Sequence, residues 1–487
     1  MKLFPLVVSL LITFSQAFAA EAAPATPTTP TTPTTPARPN IVYIVADDLG
    51  WKDVGFNGAT DIKTPNIDAL AAGGAVFRQF YVQPMCTPTR AALMTGRYPF
   101  RYGLQCAVIP ATSTYGLNLD EWLLPQSLKE TGYDTAIIGK WHLGHADKKF
   151  WPKQRGFDYQ YGAMIGELDY YTHGDKGVLD WFRDNEPVRE EGYTTTLLGN
   201  DAVRYIEKHS KSTPFFMYLA FNAPHTPYQA PKEYVDRFPS IEDPTRRTYA
   251  GMVSCLDDQV GRVVEALKAA GIRDNTLIVF HSDNGGTRSA MFAGVMADMA
   301  NVKIPCDNGP YREGKGTLLE GGVRVCALAN WPGKIAPGTR ENVVHITDMY
   351  PTIAGLTGAS TAKCKPLDGV DAWGVLAQDT PSGRKDFVYN IEPFRAAVRD
   401  GDWKLIWRTL LPSSVDLYNI KDDPSETKNL AAQYPERVAA MQKRIEELAK
   451  QAEKPLFLID QFKVVQHGMH GQPILPTDEE YSGVEQP

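Results

Sequence analysis

Ile41-Val42-Tyr43-Ile44-Val45-Ala46-Asp47-Asp48 is the stretch that decides the fold of this chain. Its first six residues form an apolar run without polar alternation, which is typical of a strand covered on both faces. Two carboxylates follow at once. A buried strand that ends in charged residues predicts an internal sheet whose edge carries polar groups.

Three further apolar segments repeat this plan, with strands predicted at 135–138, 215–221 and 276–280. They lead into polar residues, namely Lys140 and His142, then His225, then Asp283 and Asn284. Helices are predicted between them at 66–73, 124–131, 196–209 and 246–270, and another strand at 323–329. Strands alternating with helices predict an α/β domain with a mainly parallel sheet, and such sheets bind ligands beyond the carboxyl ends of their strands.

The pattern changes after residue 385. Strands predicted at 387–391, 396–399, 403–407 and 415–418, with a helix at 435–453, indicate a smaller α+β domain with an antiparallel sheet. The predicted organisation is a signal peptide at 1–19, a Pro/Thr-rich disordered linker at 20–39, the large domain at 40–385, the small domain at 386–455 and a tail at 456–487. Residues 145–190 are interpreted as long surface loops, and the tail has no clear pattern.

The chain has 487 residues and a net charge of −7, and this balance argues against nucleic-acid binding. Lys2, the apolar run after it and Ala17-Phe18-Ala19 match a cleavable secretory signal, whose run is too short to span a bilayer. We therefore expect a secreted or periplasmic protein without stable membrane association. The six cysteines contain no C-x-x-C pair, so a dense disulfide framework is not expected.

Two pairs of oxygen-bearing side chains follow predicted strands, Asp47 with Asp48 and Asp283 with Asn284. Each pair taken alone is also compatible with a helix cap or a turn. Because both pairs lie at the same edge of the predicted sheet, they form one set of hard ligands, which suits Ca²⁺ or Mg²⁺ better than zinc.

Basic residues stand at the same edge. Lys140 and His142 are two residues apart, so in an extended segment they point the same way. His225 lies in a loop stiffened by prolines and is a candidate general acid or base, or an ordinary loop histidine. Lys315 lies between glycines in a segment that nearly matches a P-loop, but Gly316 replaces the required Ser or Thr and no strand precedes it, so nucleotide binding is rejected.

Cys86-Thr87-Pro88-Thr89-Arg90 places a cysteine immediately before a predicted helix that Gly96 ends. Helix N-termini favour anions, and Arg90 lies one turn further on the same face. Cys86 is then a buried structural residue or a reactive thiolate. The cysteine-phosphatase loop is excluded, because it needs arginine six positions after cysteine and this chain has Ala92 there.

The same stretch fits the C-x-P-x-R signature of type I sulfatases, and residues 132–142 fit the second signature of that family. The chain resembles the family from about residue 40 to residue 447 and is most similar to its arylsulfatase B, or N-acetylgalactosamine-4-sulfatase, branch. Segments 123–133, 168–173, 249–254 and 401–405 carry this similarity. Thr89 stands where serine is more usual, and Cys326 stands where many members have proline.

The resemblance implies an alkaline-phosphatase-like fold with a small C-terminal domain. It also implies that a formylglycine-generating enzyme oxidises Cys86 to formylglycine during maturation. One Ca²⁺ is expected at positions matching the family's ligands, which are Asp47, Asp48, Cys86 as formylglycine, Asp283 and Asn284. Sulfate binding and catalysis are expected from the remaining matched positions, Arg90, Lys140, His142, His225 and Lys315.

The implied reaction is hydrolysis of a sulfate monoester, expected on a sulfated carbohydrate such as N-acetylgalactosamine 4-sulfate. A hydroxyl of the hydrated aldehyde attacks sulfur, and His225 with Lys315 protonates the departing oxygen. His142 then deprotonates the second hydroxyl, which expels sulfate. The alternatives are a formylglycine-dependent phosphodiesterase or phosphonate monoester hydrolase, and a catalytically inactive calcium-binding relative with unconverted Cys86.

Overall fold

The computed structural model describes residues 38–209, 213–288, 304–384 and 386–469. The predicted signal peptide at 1–19, the linker up to residue 37 and the tail beyond residue 469 lie outside these residues. Within the described part, no helix is both long enough and apolar enough to cross a membrane.

The strands of the described residues, in chain order, are β1 (Asn40–Ala46), β2 (Ala75–Phe77), β3 (Phe80–Tyr81), β4 (Asp134–Gly139), β5 (Tyr159–Gly162), β6 (Gly174–Asp175), β7 (Val178–Leu179), β8 (Phe182–Arg183), β9 (Glu186–Pro187), β10 (Phe215–Ala220), β11 (Thr276–Ser282), β12 (Ala327–Asn330), β13 (Gly338–Arg340), β14 (Val344–His345), β15 (Asp386–Ile391), β16 (Arg395–Asp400), β17 (Trp403–Arg408) and β18 (Ser414–Asn419). One large sheet has the order β13-β2-β12-β11-β1-β10-β4-β5-β8-β9. Its centre, from β11 to β5, is parallel throughout. The predicted α/β class with a mainly parallel sheet is confirmed.

The helices are α1 (Pro65–Ala72), α2 (Cys86–Thr95), α3 (Leu124–Glu130), α4 (Thr194–Lys208), α5 (Lys232–Val235), α6 (Pro244–Ala269), α7 (Glu320–Val323), α8 (Met349–Thr357), α9 (Trp373–Gln378), α10 (Pro435–Ala449) and α11 (Leu456–Met469). Residues of α1, α4 and α6 pack in one buried cluster with the sheet, and residues of α2, α3 and α8 pack in another. The sheet is therefore covered on both faces.

Strand β1 shows how the apolar run forms the core. Ile41, Tyr43 and Val45 belong to one hydrophobic cluster, and the residues between them belong to the other. Successive strand residues point to opposite faces, so a strand buried on both sides needs apolar residues at every position. Residues 41–46 are buried, as the continuous run predicts, and Asn40 at the start of β1 is buried as well.

The register of the central strands aligns their carboxyl ends. Ala46 at the end of β1 pairs with Ser282 at the end of β11, and Ala220 at the end of β10 pairs with Gly139 at the end of β4. Residue Val45 pairs in turn with Ala220. The residues that follow these four strands therefore meet at one edge of the sheet, and this edge carries the candidate site.

The prediction of 145–190 as surface loops is wrong. Strand β5 extends the parallel sheet next to β4, and the rings of Tyr161 and Trp181 are buried with their centroids 5.0 Å apart. Very short strands separated by turns carry no periodic pattern, so their pairing is decided by tertiary contacts.

Two other boundaries also differ from the sequence prediction. The strand predicted at 323–329 begins only at Ala327, because the chain first forms the short helix α7. At the end of this helix the Arg324 N–H donates to the Glu320 carbonyl at 2.8 Å. The tail, for which the sequence showed no clear pattern, contains helix α11. Its Leu456 packs against the first cluster and donates its N–H to the Gly103 carbonyl at 2.9 Å.

The predicted C-terminal antiparallel sheet is confirmed, with the order β15-β16-β17-β18. One face packs against α10 and against Tyr98 and Phe100. The other face packs against Tyr81, Leu318 and Val323, which belong to segments that lead to the candidate site. The sheet thus forms part of the support for that site.

His345 makes folding sensitive to acid. Burial, and then the charge of Arg384, lower the pKa of His345 well below its ordinary value of 6.5. As the pH falls below about 6.5, His345 becomes protonated in the unfolded chain but stays neutral in the folded protein. The free energy of unfolding therefore decreases by about 1.4 kcal/mol per pH unit for this group.

We therefore expect the pH dependence of the free energy of unfolding to be shallower in His345→Gln than in wild type. Denaturant titrations between about pH 7 and pH 5 measure it. Equal slopes for the two proteins would contradict this assignment.

Candidate active site at the carboxyl edge of the sheet

Four buried side chains converge where the central strands end. Ligand atoms of Asp47, Asp48, Cys86 and His225 lie within 4.8 Å of one another. The two aspartates follow β1, His225 follows β10, and Cys86 begins α2. The cysteine was expected immediately before the helix, whereas the helix starts at Cys86 itself, with Met85 extended at the N-cap and Gly96 at the C-cap with a φ of 67°.

Asp283 and Asn284 reach the same place from β11. The Asn284 side-chain amide donates to Asp48 Oδ1 at 2.7 Å, and Asp283 Oδ1 accepts the Asp48 backbone N–H at 3.3 Å. Asn284 Oδ1 is buried, and no donor within the described ranges contacts it. A buried acceptor without a donor is costly unless a cation or water satisfies it.

Three fixed cations face these carboxylates. Arg90 donates from Nε and Nη2 to Asp283 Oδ2 at 3.1 and 2.8 Å. Lys140 Nζ contacts Asp47 Oδ2, and Lys315 Nζ contacts Asp48 Oδ2 at 2.8 Å. Three carboxylates and three cations balance, so a divalent metal ion would leave the pocket positive and suited to an anion.

The cations set the protonation of the two aspartates. Burial by itself raises the pKa of Asp47, but Lys140 and the other cationic neighbours outweigh it and hold the pKa below its ordinary value. The pKa of Asp48 is lowered in the same way: burial by itself raises it, and the charge of Lys315 makes the largest contribution to lowering it. Both groups are therefore ionised acceptors at neutral pH.

His225 is joined directly to Lys315. Its Nδ1 lies 2.7 Å from the Thr226 carbonyl, which only a protonated ring nitrogen can bond, so Nδ1 carries the hydrogen. Nε2 is then the acceptor and lies 3.1 Å from Lys315 Nζ. The two side chains are within hydrogen-bond distance of each other, and His225 Nε2 also lies 3.6 Å from Asp48 Oδ2.

His142 lies beside this cluster, in a conformation that differs from the prediction. It was expected in an extended segment, but its φ is 58°, in the left-handed region. Its Nε2 donates to the Ile109 carbonyl at 3.1 Å, so Nδ1 holds the lone pair. That Nδ1 is buried without a hydrogen-bond partner in the described part of the chain. Burial, then Lys140 and Arg90, lower the pKa of His142 well below its ordinary value, so the ring is neutral.

A family model described as Sulfatase matches residues 39–359. The chain belongs to the sulfatase family. A second model, described as N-sulphoglucosamine sulphohydrolase, C-terminal, matches residues 314–451 of this sulfatase. The predicted membership of the type I sulfatases is confirmed.

Named relatives agree with the family model. Arylsulfatase J of Mus musculus is 37% identical over 396 residues, which are 79% of this chain and 64% of that protein. This sulfatase therefore spans slightly less than two thirds of the length of that relative. N-acetylgalactosamine-6-sulfatase of Homo sapiens is 33% identical over 380 residues, which are 74% of this chain and 70% of that protein.

Solved structures support the same fold. The crystal structure of Ps i-CgsB in complex with k-i-k-neocarrahexaose is 36% identical, covers 86% of this sulfatase and 94% of that chain, and has a TM-score of 0.78. The phosphonate monoester hydrolase of Agrobacterium radiobacter has a TM-score of 0.60 at 20% identity, with coverage of 86% and 97%, and this shows a shared fold alone.

All ten predicted site residues lie at this edge of the sheet, but several supporting groups were not predicted. Tyr218 on β10 lies 3.4 Å from Arg90 Nη1 through its hydroxyl. The Ile109 carbonyl orients His142, and the Thr87 hydroxyl donates to the His142 carbonyl at 3.0 Å. None of these groups had a sequence signal, because Thr87 occupies a variable position of the C-x-P-x-R signature and a backbone carbonyl leaves no trace in residue type.

Gly166 packs against the imidazole of His142. A Cβ added at Gly166 would lie 2.4 Å from His142 Cε1, closer than real contacts allow. We expect Gly166→Ala to displace the ring and to lower kcat by about tenfold to a hundredfold, since a shift of about 1 Å at a catalytic group has effects of this size.

The matched control is Gly383→Ala, where an added Cβ meets nothing within 4 Å. Steady-state kinetics with an aryl sulfate and thermal unfolding are measured for both variants. Full activity in Gly166→Ala would contradict the proposed proximity of His142 to the reacting atoms.

Proposed function

We propose that this sulfatase hydrolyses a sulfate monoester of a carbohydrate, with Cys86 converted to formylglycine and one Ca²⁺ held at the carboxyl edge of the sheet. The observation that carries the proposal is the convergence of Asp47, Asp48, Cys86 and His225 within 4.8 Å in a chain of this family. The three cations around them suit an anionic ester.

The residues present fit a hard cation. Asp47 and Asp48 would hold it together with Asp283 and the buried oxygen of Asn284, both of which contact Asp48, and the modified residue 86 would be a further ligand. All of these ligands are oxygen atoms, which Ca²⁺ prefers. Once position 86 is modified, the proposed ligand set includes neither an imidazole nor a thiolate. When bound, Ca²⁺ would polarise the ester and the hydrated aldehyde would supply the attacking hydroxyl.

An unmodified Cys86 is a poor nucleophile in this setting. Burial, then the charges of Asp283 and Asp47, raise the pKa of the Cys86 thiol well above its ordinary value. The thiolate is the reactive form of cysteine, and its formation is opposed here in spite of the helix N-terminus. This supports a precursor role for Cys86 over the thiolate alternative.

Different side chains would carry out the two proton transfers of the reaction. Lys315 donates to His225 Nε2, so the pair would deliver a proton to the departing sugar oxygen. His142 keeps an unpaired lone pair on Nδ1, which would accept the proton from the hydroxyl at position 86. Arg90 holds Asp283 and Lys140 holds Asp47, which fixes the ligand set before substrate arrives.

Turnover of an aryl sulfate compared with an aryl phosphodiester tests the reaction class. We expect the sulfate ester to be preferred. A preference for the phosphodiester by orders of magnitude would favour the phosphodiesterase or phosphonate monoester hydrolase alternative. Absence of both activities in Ca²⁺-loaded protein whose Cys86 is unconverted would favour the inactive calcium-binding relative.

The substrate is proposed at the level of a sulfated sugar, with N-acetylgalactosamine 4-sulfate as the first candidate. Relatives named as N-acetylgalactosamine-6-sulfatase, and the Ps i-CgsB complex with k-i-k-neocarrahexaose, make N-acetylgalactosamine 6-sulfate and k-i-k-neocarrahexaose the competing candidates. Hydrolysis of these three substrates side by side, with sulfate release as readout, ranks them. Equal rates on all three would contradict specificity for the 4-sulfate.

We further propose maturation by a formylglycine-generating enzyme and export through the signal at 1–19 to the periplasm or the medium. Sequencing the N-terminus of the protein from its native host tests the export. A mature chain starting close to residue 20 is expected, whereas an intact Met1 would contradict it.

A further inference from the structure

Glu320 lies fully buried between the candidate active site and the C-terminal sheet. Lys404 Nζ on β17 lies 2.9 Å from Glu320 Oε1 and 2.9 Å from Glu426 Oε1. Glu426 Oε2 accepts the Glu320 backbone N–H at 2.6 Å. Lys404 and Glu426 therefore clamp both the side chain and the backbone of Glu320, and all three residues have no solvent exposure.

The clamp is ionic. Burial by itself raises the pKa of Glu320, but Lys404, followed by two nearby arginines, brings the pKa down to about 2. The Tyr81 hydroxyl donates to Glu320 Oε2 at 2.7 Å. A buried pair of this kind adds little net stability over an apolar pair, but it fixes geometry, and removing one partner leaves an uncompensated charge.

The segment around Glu320 touches the strands and loops that carry the site. The Gly285 N–H, directly after Asn284, donates to the Gly322 carbonyl at 3.0 Å. The Gly321 N–H donates to the Arg312 carbonyl at 3.0 Å, which closes the loop that contains Lys315. A Cβ at Gly321 would lie 2.3 Å from the Glu313 carbonyl oxygen, so the two parts of this loop are in close contact.

Among the ten site residues, Lys315 lies closest in the chain to the clamped Glu320. Cys86 is held by a ten-residue helix, and Asn284 follows a central strand paired on both sides. Lys315 lies between Gly314 and Gly316 in a loop, where the backbone has the most freedom. The Lys315 N–H donates to the Gly286 carbonyl at 3.2 Å and the Gly316 N–H donates to the Pro84 carbonyl at 2.8 Å, while the bonds at Glu320 and Gly321 hold the end of the loop five residues further on.

We propose that Lys404 and Glu426 are positioning residues for Lys315: by clamping Glu320, the C-terminal sheet holds the loop that presents Lys315 to Asp48 and His225. This inference rests on the role of Lys315 in the proposed function. It assigns to the C-terminal sheet a part in forming the active site, in addition to packing.

A double-mutant cycle with an aryl sulfate tests this. Lys404→Met keeps the length of the side chain and removes its charge, and we expect kcat/KM to fall about tenfold or more. In a Lys315→Ala background the same change should cost less than about twofold, because the group it positions is already absent. In a His142→Ala background the tenfold loss should remain, since the clamp does not contact His142.

The matched control is Arg408→Met, which removes the ion pair with Asp416 at the end of the same strand and should leave kcat/KM unchanged. If Lys404→Met does not fold, the double variant Lys404→Met with Glu426→Gln also removes the second carboxylate that Lys404 contacts and leaves Glu320 paired with Arg324, so it should fold with the same loss of activity. Equal losses in the Lys315→Ala and His142→Ala backgrounds would overturn the positioning role. Full activity of Lys315→Ala alone would instead overturn the role of Lys315 in the proposed function.

Discussion

Replacing Cys86 with alanine should abolish sulfate ester hydrolysis while leaving the fold intact. The residue is buried at the first position of α2, and its Sγ lies 3.4 Å from Asp47 Oδ1. Removing a covalent nucleophile costs activity by about 10⁴-fold or more, whereas a buried cysteine-to-alanine change costs about 1 kcal/mol of stability. Aryl sulfate kinetics and thermal unfolding measure the two effects separately.

Cys255→Ala is the matched control, because Cys255 is also buried but lies in the middle of α6. It should keep wild-type activity. Peptide mass spectrometry of the active protein adds an independent readout, since formylglycine is about 18 Da lighter than cysteine in the peptide 79–90. Substantial activity in Cys86→Ala, or an unshifted peptide in fully active protein, would refute the proposed nucleophile.

Chelator-treated protein should gain thermal stability when Ca²⁺ is added, and Asp48→Asn should remove most of this gain. A ligand that binds only the folded state adds about 2.7 kcal/mol at a concentration of about 100 times its Kd. Asp48 is central to the site, because it contacts both Asn284 and Lys315. Differential scanning calorimetry with and without Ca²⁺ measures the gain.

Asp257→Asn provides the control, because Asp257 is another buried carboxylate but bonds the N–H groups of Asn66 and Ile67 at the start of α1. The partners of Asp257 are Asn66 and Ile67 and include none of the proposed metal ligands, so its substitution alters stability without touching them. The response to Ca²⁺ should remain in this variant. A response retained in Asp48→Asn, or a larger response to Mg²⁺ than to Ca²⁺, would contradict the proposed metal site.

Strand β1 and its neighbours show why much of the site was predictable. An internal parallel strand must be apolar at every position, so its run is visible in the sequence, and the residue after the run is placed at the sheet edge by the strand direction alone. This argument brought Asp47, His225 and Asp283 together without any knowledge of packing.

The segment 145–190 and α11 show where this reasoning fails. Strand β5 has four residues and is held by its pairing with β4, so its existence depends on a partner distant in the sequence. Helix α11 is placed by contacts such as the bond from Ser113 Oγ to Asp460 Oδ2 at 2.8 Å. Local composition carries no record of such partners.

The sequence by itself determined the mainly parallel sheet, the polar residues at its carboxyl edge and the sulfatase signature around Cys86. These follow from hydrophobic runs and motif spacing, which are local properties of the chain. Tertiary structure alone decided which nitrogen of His142 holds the lone pair, because that depends on the Ile109 carbonyl, 33 residues away. It also decided that Lys404 clamps Glu320, 84 residues away, since a buried charge is stable only where folding supplies its partner.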